Sequence, residues 1–481
     1  MPNLNDYLAL DATAMAAGLR DGDFKASELV SLAVEQAHRV NPTINAINVE
    51  GYDEALALAA DLDKKPARLT DGVAGVPFLI KDLSLLEGLV ATHGSRLYQD
   101  AIATRSANIV VRYLDAGLVI LGKTNTPEFG LTLTTEPMAH GATLNPWNLD
   151  YSTGGSSGGA AAAVAAGIVP VAHATDGGGS IRIPASCCGL FGLKPSRGFT
   201  TIEKDIGDSW SGMSVGHVVS RTVRDSAMFL NLITLDEAAL YPMPAAPRSF
   251  ADHLDAVPSG LRIAVQNQHP FGEALDPDVM KAVENTAQLC ESLGHHVTVV
   301  EHPADYKSAA AAMNKLVCIH TFQTVNRRLQ ELGIDLEVAD VENSTRQMAE
   351  MGARFSAVDY IRARDSLTRV EQQMAVFHQK YDVLLSPVLT KTTAKLGWLD
   401  MNTDDLNEYG ARFRAYSGFT ALYNGTGQPS ASLPLFQDSA GLPVGVMATA
   451  AWGNDHLLLQ LSAQLEQAAP WPQIAPFADT D

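Results

Sequence analysis

Two glycine-rich segments between residues 151 and 199 have a composition suited to holding a negative charge. The sequence GGSSGG, which begins at Gly154, runs into the helix-prone segment Ala160–Ala166. A loop that enters a helix directs backbone N–H groups and the positive end of the helix dipole at a bound anion. In the second segment, glycines 177–179 precede Ser180 and could direct successive N–H groups at one point, as an oxyanion hole requires. Taken singly, the first segment is also typical of a linker and the second of a tight turn.

A lysine near the first predicted strands is the third candidate. Lys81 follows the apolar segment Val76–Ile80 and precedes Asp82, so its amine would lie at a strand end beside an apolar layer. Considered alone, such a Lys–Asp pair most often forms an ion pair on the surface.

Two other patterns match catalytic motifs in an unsuitable context. Gly117–Thr124 fits the phosphate-loop pattern GxxxxGK[ST], but Leu118–Leu121 is a β-prone apolar run typical of a buried strand. GGSSG fits the nucleophile elbow GxSxG, yet the polar approach Asp150–Thr153 has little strand character, so we expect no strand before that turn. His173 and His217 are expected to be structural rather than catalytic bases.

Together, the motifs resemble those of the amidase signature family. The intervals of 75 residues from Lys81 to Ser156 and 24 residues from Ser156 to Ser180 agree with that family, as does the sequence TDGGGSIRIPA that begins at Thr175. The similarity covers most of the chain and includes the segments Gly122–Glu128, Gly141–Asn148, Arg221–Asp225, Asn424–Pro429 and Gly441–Gly445.

The resemblance implies a Ser-cisSer-Lys triad. Ser180 would be the nucleophile, Ser156 the bridging serine after a cis peptide bond, and Lys81 the base. The oxyanion hole would consist of the N–H groups of Gly177, Gly178 and Gly179 together with that of Ser180. Ser157 and Gly155 would support the site, and Asp176 and Arg182 are expected to fix the loop by ion pairing or capping. The implied reaction is hydrolysis of a carboxylic amide without metal or organic cofactor. Carbamate or ester hydrolysis and an amidotransferase subunit remain alternatives.

The expected substrate pocket is apolar. Residues 123–148 and 457–471 resemble the nylon-oligomer amidases of the family, which implies 6-aminohexanoate-type linear or cyclic oligoamides as substrates. In that subgroup a cysteine on a helix contacts the substrate, which points to Cys318. Further pocket candidates are Phe129, Trp147, Trp210, Tyr416 and Phe419.

The hydrophobic pattern predicts an α/β fold around these motifs. The strand candidates Val76–Ile80 and Val119–Leu121 flank the helical segment Ala107–Ala116, which favours parallel pairing. Further predicted helices are Ser27–Val40 with Ser27 as N-cap, Asp53–Leu62, Asp276–Leu293 and Ala357–Tyr381, and further predicted strands are Arg262–Val265, His296–Val300 and Val383–Leu385. Strand-like segments at Asn424–Pro434 and Gly441–Ala448 are expected to rejoin the first sheet.

We therefore predict the amidase-signature fold, a central mixed, twisted sheet covered on both faces by helices. One domain would span residues 1–481, with a helical N-terminal part (1–65), a catalytic core (about 66–230), a helix-rich substrate-pocket region (about 235–415) and a C-terminal return to the core (416–481).

Composition argues against several classes of function. The 34 Lys and Arg against 54 Asp and Glu give a net charge of −20, which disfavours nucleic-acid binding. The apolar segment Gly158–Ala174 is short and is broken by Pro170, so we expect no membrane span. Four cysteines without ligand spacing and a start without an apolar signal segment favour a reducing compartment. We predict a cytoplasmic enzyme whose partner is a small-molecule amide, with a homodimer as its candidate assembly.

Overall fold

The computed structural model describes residues 2–69, 72–200, 209–234, 249–301 and 303–479. Its α-helices are α1 (Leu4–Ala9), α2 (Ala12–Asp21), α3 (Ala26–Ile44), α4 (Tyr52–Leu62), α5 (Asn108–Asp115), α6 (Gly158–Ala165), α7 (Arg182–Cys188), α8 (Val223–Ile233), α9 (Pro277–Ser292), α10 (Tyr306–Leu332), α11 (Asn343–Arg354), α12 (Ala357–Phe377), α13 (Leu406–Tyr416), α14 (Leu422–Thr426) and α15 (Asp455–Ala468). Its strands are β1 (Ile47–Glu50), β2 (Pro77–Lys81), β3 (Val119–Thr124), β4 (Leu144–Asn145), β5 (Asn148–Ser152), β6 (Val171–Asp176), β7 (Phe191–Lys194), β8 (Val215–Ser220), β9 (Arg262–Val265), β10 (His296–Val299), β11 (Val383–Pro387), β12 (Ser430–Gln437) and β13 (Pro443–Ala450).

Within these ranges the strands form three sheets. The largest has eight strands in the order β10-β9-β11-β13-β12-β7-β8-β6, and the others have the orders β1-β3-β2 and β4-β5. The pairs β10/β9 and β9/β11 are parallel, whereas β11/β13, β13/β12, β12/β7, β7/β8 and β8/β6 are antiparallel. Helices pack against this sheet, among them α7, α9 and α15 on β12 and β13, and α8 on β8. The predicted α/β class with a mixed sheet is confirmed.

The first βαβ unit agrees with the prediction. Strands β2 and β3 pair in parallel, with α5 between them in the chain. Leu118, Val119 and Leu121 are buried, as expected of a strand rather than a phosphate loop. Strands β9 and β10 and helix α9 agree with their predicted bounds to within one residue, whereas α12 ends four residues earlier, at Phe377.

The predicted N-cap of α3 is wrong. The helix begins at Ala26, and Ser27 lies within it. The carboxylate at the end of α4 caps the helix instead: Ala26 N–H donates to Asp63 Oδ1 at 2.8 Å, and the Ser27 hydroxyl donates to Asp63 Oδ2 at 2.5 Å. The helix also continues past Pro42 to Ile44. A cap supplied from 37 residues away leaves no local pattern in the sequence.

The prediction that the end of the chain rejoins the first sheet is wrong. The first predicted strands, β2 and β3, belong to the three-stranded sheet, whereas β12 and β13 belong to the eight-stranded sheet. Strand β12 pairs with β7, and β13 pairs with β11. Asn424–Thr426, predicted as strand, belongs to α14, which ends at Gly427 in the left-handed conformation with φ of 87°. The predicted start of the pocket region near residue 235 lies outside the described residues.

Helix α6 occupies the interior, and its eight residues are all buried. Its start lies directly against the backbone beyond β3: a Cβ added at Gly159 would lie 2.5 Å from Asn125 N and 2.6 Å from Ala46 O. Within the described ranges, we find no helix whose length and apolar character would let it cross a bilayer.

Substitution Gly159→Ala tests this packing. Because the added methyl group meets backbone atoms that cannot rotate away, we expect a loss of about 1–3 kcal/mol in the free energy of unfolding, measured by urea denaturation. Gly410→Ala is the matched control, since at this position within α13 a Cβ meets only the end of the Arg414 side chain, at 3.3 Å. The control should be neutral or stabilising, and equal losses in both variants would contradict the packing described.

Candidate active site

Lys81 ends β2, and its side chain is fully buried among hydroxyl groups. Its Nζ lies 2.7 Å from Ser156 Oγ, 2.8 Å from Ser157 Oγ and 3.0 Å from Thr175 Oγ1. The neighbouring Asp82 is also buried but forms its ion pair with Lys123. The surface Lys–Asp pair considered from the sequence is therefore not formed.

Burial lowers the pKa of the Lys81 amine well below its ordinary value, and the negative charge of Asp176 opposes this to a smaller extent. A neutral amine donates two hydrogen bonds and accepts one. The Ser157 hydroxyl donates its proton to Thr175 O at 3.3 Å, so its oxygen accepts a hydrogen bond from Nζ. The lone pair of Nζ is then available to one of the two other hydroxyls, of which Ser156 is the nearer.

The Gly155–Ser156 peptide bond is cis, as the family resemblance implied. A Cβ at Gly155 would lie 2.5 Å from Thr134 O and 2.6 Å from Thr134 N, so only glycine fits there. On the other side, the Thr126 hydroxyl donates to Ser156 O at 3.0 Å. The polypeptide around the bridging serine is thus held by the Thr134 backbone on one side and by the Thr126 side chain on the other.

Our expectation that no strand precedes this turn is wrong. Residues Asn148–Ser152 form β5, a polar strand paired with β4 in a two-stranded hairpin. The Asn145 amide group supports it by donating to Ser152 O at 2.9 Å. Side-chain support of this kind allows a strand where the residues themselves have low β propensity. Ser156 Oγ nevertheless contacts Lys81 rather than a histidine, unlike the serine of a nucleophile elbow.

Ser180 is half-buried and lies beside the GGSSGG segment, since its carbonyl accepts from Ser157 N–H at 3.3 Å. No hydrogen bond within the described part of the chain uses the Ser180 hydroxyl or the N–H groups of Gly177, Gly178 and Ser180. These backbone donors are therefore available to a substrate oxygen.

Gly179 does not belong with these donors, contrary to the prediction. Its N–H donates to Asp176 Oδ1 at 2.7 Å, and the carbonyl on the other side of the same peptide unit, that of Gly178, accepts from Thr420 Oγ1 at 2.7 Å. Both polar groups of this peptide unit are thus occupied. The glycine is required for another reason, because its φ is 138°.

Asp176 and Arg182 form a fully buried ion pair that fixes the loop, which agrees with the role expected for them. Arg182 donates from its Nε to Asp176 Oδ2 at 2.9 Å and from NH2 to Asp176 Oδ1 at 2.8 Å. The guanidinium holds the pKa of the Asp176 carboxyl well below its usual range, against the opposing effect of burial. Arg182 also donates to Asn424 Oδ1 at 2.6 Å and Thr420 O at 2.8 Å, which links the loop to α14 and the residues before it.

One of the predicted pocket residues lies against this loop. The Trp210 ring packs on Gly177, where an added Cβ would lie 2.9 Å from the indole. Phe129 is half-buried, and its ring packs against Tyr98 with 5.9 Å between ring centroids. The next residue, Gly130, is the one beside the site, since an added Cβ there would lie 3.0 Å from Ser156 Oγ.

Three other pocket candidates lie elsewhere. Trp147 donates from its indole N–H to Cys188 O at 2.8 Å, at the end of α7 opposite Ser180. Phe419 and Tyr416 are buried in the main hydrophobic core, where the Tyr416 hydroxyl accepts from Ala394 N–H at 3.0 Å. Large aromatic residues are common in cores, and residue type alone does not separate core from pocket. Cys318 lies within α10 and is only 1% exposed.

Sequence reasoning missed two residues of the site. Thr175 contacts the Lys81 amine, and Thr420 holds the Gly178 carbonyl. The position of Thr175 immediately before Asp176 was a usable signal, whereas Thr420 lies 242 residues from its partner and has no such signal. Within the described residues, no three His, Cys, Asp or Glu side chains are grouped so as to hold a metal ion.

Comparison with known proteins identifies the family. The model of the amidase family matches residues 28–459. The chain belongs to the amidase family. Its relatives include the 6-aminohexanoate-cyclic-dimer hydrolase of Paenarthrobacter ureafaciens, which is 35% identical over 476 residues, covering 96% of this chain and 95% of that protein. The putative amidase AmiC of Mycobacterium bovis is 36% identical over 469 residues, covering 97% and 96%.

Solved structures extend the similarity to the whole fold. The structure of a 6-aminohexanoate cyclic dimer hydrolase matches this amidase with a TM-score of 0.90 at 34% identity, covering 98% of this chain and 99% of that one. The amidase-signature fold and the family resemblance derived from the motifs are thereby confirmed. This amidase is a hydrolase of carbon–nitrogen bonds other than peptide bonds.

Substitution Asp176→Asn tests the buried ion pair. It leaves the Arg182 charge buried without its counter-charge, so we expect the free energy of unfolding to fall by about 3–5 kcal/mol in urea denaturation. The control is Asp61→Asn, which removes the partner of Lys65 from an ion pair of similar length, 2.6 Å, whose side chains are about half exposed. The control should leave the denaturation midpoint nearly unchanged. A loss no larger at Asp176 than at Asp61 would contradict the role assigned to the pair.

Proposed function

We propose that this amidase hydrolyses a carboxylic amide through an acyl-enzyme on Ser180, with Ser156 as proton relay and Lys81 as base. The observation that carries the proposal is the fully buried Lys81 amine, whose hydrogen-bond partners are the hydroxyls of Ser156, Ser157 and Thr175. A lysine kept neutral by burial has a lone pair that can accept a proton, whereas an ammonium ion has none.

In the first half of the reaction, the Ser180 hydroxyl attacks the carbonyl carbon. Its proton passes to Ser156, whose own proton passes to Lys81 Nζ, so that Ser156 stays neutral and Lys81 becomes an ammonium ion. The tetrahedral intermediate collapses when the carbon–nitrogen bond breaks, and the same proton returns through Ser156 to the leaving amine. Water then attacks the acyl-enzyme with the same assistance and releases the carboxylic acid.

The oxyanion of each tetrahedral intermediate would accept from the N–H groups of Gly177, Gly178 and Ser180. The peptide unit that joins Gly178 to Gly179 is held at its oxygen by Thr420 and at its N–H by Asp176, which fixes the neighbouring N–H groups in direction. Donors fixed in advance need no reorganisation as charge develops, and the loss of one such donor typically costs a factor of about 10²–10³ in rate.

The proposed substrates are linear or cyclic oligoamides of the 6-aminohexanoate type. The name of the relatives at 35% identity supports this class. Trp210 over Gly177 supplies apolar surface that suits polymethylene chains. The four buried cysteines, all free, support a cytoplasmic location.

A substrate panel with intact-protein mass spectrometry tests the reaction. We expect turnover of the 6-aminohexanoate oligoamides and a covalent acyl adduct on Ser180, and Ser180→Ala should lower kcat by a factor on the order of 10⁶, as removal of the nucleophile does in other serine hydrolases. Ser214→Ala, at another half-buried serine, is the matched control and should keep full activity. Preferred turnover of carbamates or aryl esters would reject the substrate class, and an active Ser180→Ala variant would reject the nucleophile.

Substitution Lys81→Met tests the relay. An amide has a poor leaving group that needs the returned proton, so kcat/KM for an amide should fall by a larger factor than kcat/KM for an activated ester of the same acid. Because only the neutral amine is a base, kcat/KM of the wild type should fall as pH drops through the Lys81 pKa. Its acid limb should lie below the range of an exposed lysine, since the pKa is lowered. Equal losses for both substrates, or an acid limb that persists in Lys81→Met, would contradict the relay.

A further inference from the structure

Strand β6 holds Lys81 at two points. The backbone N–H of Lys81 donates to His173 Nδ1 at 3.3 Å, and its Nζ lies 3.0 Å from Thr175 Oγ1. Side chains two residues apart in a strand lie on the same face, so one face of β6 contacts both the main chain and the amine of the lysine. The same strand continues directly into the loop that carries Ser180.

The histidine replaces a contact that a paired strand would normally provide. In the described part of the chain, β2 is an end strand of the three-stranded sheet and β6 is an end strand of the eight-stranded sheet. The two strands lie side by side without joining one hydrogen-bonded sheet. The imidazole therefore supplies the acceptor for a buried N–H group that would otherwise lack one.

The hydrogen bond fixes the form of the ring. Since Nδ1 accepts, the ring proton is on Nε2, and the imidazole is neutral. Burial lowers the pKa of His173 to about 3, and the charge of Lys123 acts in the same direction. Nε2 has no hydrogen-bond partner among the described residues, and the ring lies edge-on to Tyr113 with 5.8 Å between ring centroids. The unsatisfied Nε2 is a cost that an apolar side chain at this position would not have. The polar contact that favours a histidine here is therefore the hydrogen bond from the Lys81 N–H group to Nδ1.

We propose that His173 is a positioning residue, which holds the main chain at Lys81 so that the amine meets Ser156 in a space that excludes water. The inference rests on the proposed function. Without the Nδ1 contact, the end of β2 is free to move away from β6. The amine then loses its alignment with Ser156, and water reaches it.

The test compares His173→Leu with His173→Asn in steady-state kinetics on an amide over a range of pH. For His173→Leu we expect kcat to fall at least about tenfold with little change in KM, and the acid limb of kcat/KM to move to higher pH, because a hydrated Lys81 binds its proton more tightly. In His173→Asn the amide oxygen can take the place of Nδ1 and should recover much of kcat and the original acid limb. If His173→Leu does not fold, His173→Thr, which is too short to reach the N–H group, takes its place with the same expectations.

His217→Leu is the matched control. His217 is equally buried, on the adjacent strand β8, but its Nε2 bonds to Ser226 Oγ at 2.9 Å. The control should lose stability and keep kcat per folded molecule and the pH profile. Equal kinetic effects at His173 and His217, or no recovery in His173→Asn, would overturn the inference.

Labelling of Ser180 by a fluorophosphonate separates this inference from the proposed function. If the wild type is not labelled at Ser180, the proposed function fails. If the wild type and His173→Leu are labelled at the same rate, only the inference about His173 fails.

Discussion

Removal of the Lys81 amine from water is the constraint on which the rest of the site depends. A buried lysine that had a carboxylate as its partner would remain charged, because an opposite charge at contact distance favours the ammonium form. The structure avoids this with two buried ion pairs. Asp82, next to Lys81 in the chain, is paired with Lys123, and Asp176 is paired with Arg182. Each carboxylate near the amine already has its own cation, and Lys81 is left with hydroxyl groups.

The second of these ion pairs also shapes the loop. Asp176 accepts the N–H group of Gly179 as well as the guanidinium of Arg182, so one carboxylate both balances a charge and sets the direction of a peptide unit. Arg182 in turn contacts Thr420 and Asn424, which lie about half the chain away in sequence. The loop geometry therefore requires the C-terminal strands and α14 to be folded against the first half of the chain.

The sequence predicted most of what depends on local pattern. Alternation of strand and helix identified the first βαβ unit, and the resemblance to the amidase signature family implied that Lys81 and Ser156 would meet, which they do at 2.7 Å. Three of the errors share one cause, since each depends on a side-chain hydrogen bond that helix and strand propensities do not predict. Asp63 caps α3, Asn145 supports a polar strand, and Asp176 removes Gly179 from the set of free donors. Residue type alone also does not separate pocket from core: Tyr416 and Phe419, both pocket candidates, are buried in the main hydrophobic core.

The three consecutive glycines of the motif, residues 177–179, do not share one structural role. Gly179 has a φ of 138°, and a Cβ added to it would lie 2.5 Å from Thr420 Oγ1, so the turn requires glycine at this position. A Cβ at Gly177 would instead meet the Trp210 ring at 2.9 Å, so this position serves close packing with an aromatic side chain at the candidate pocket. At Gly178 the nearest atom, Ala421 Cβ, is 4.0 Å away, which is ordinary contact. In this amidase, glycine at 177 therefore answers to the aromatic ring at the candidate pocket, whereas glycine at 179 answers to the turn that the Asp176 carboxylate fixes.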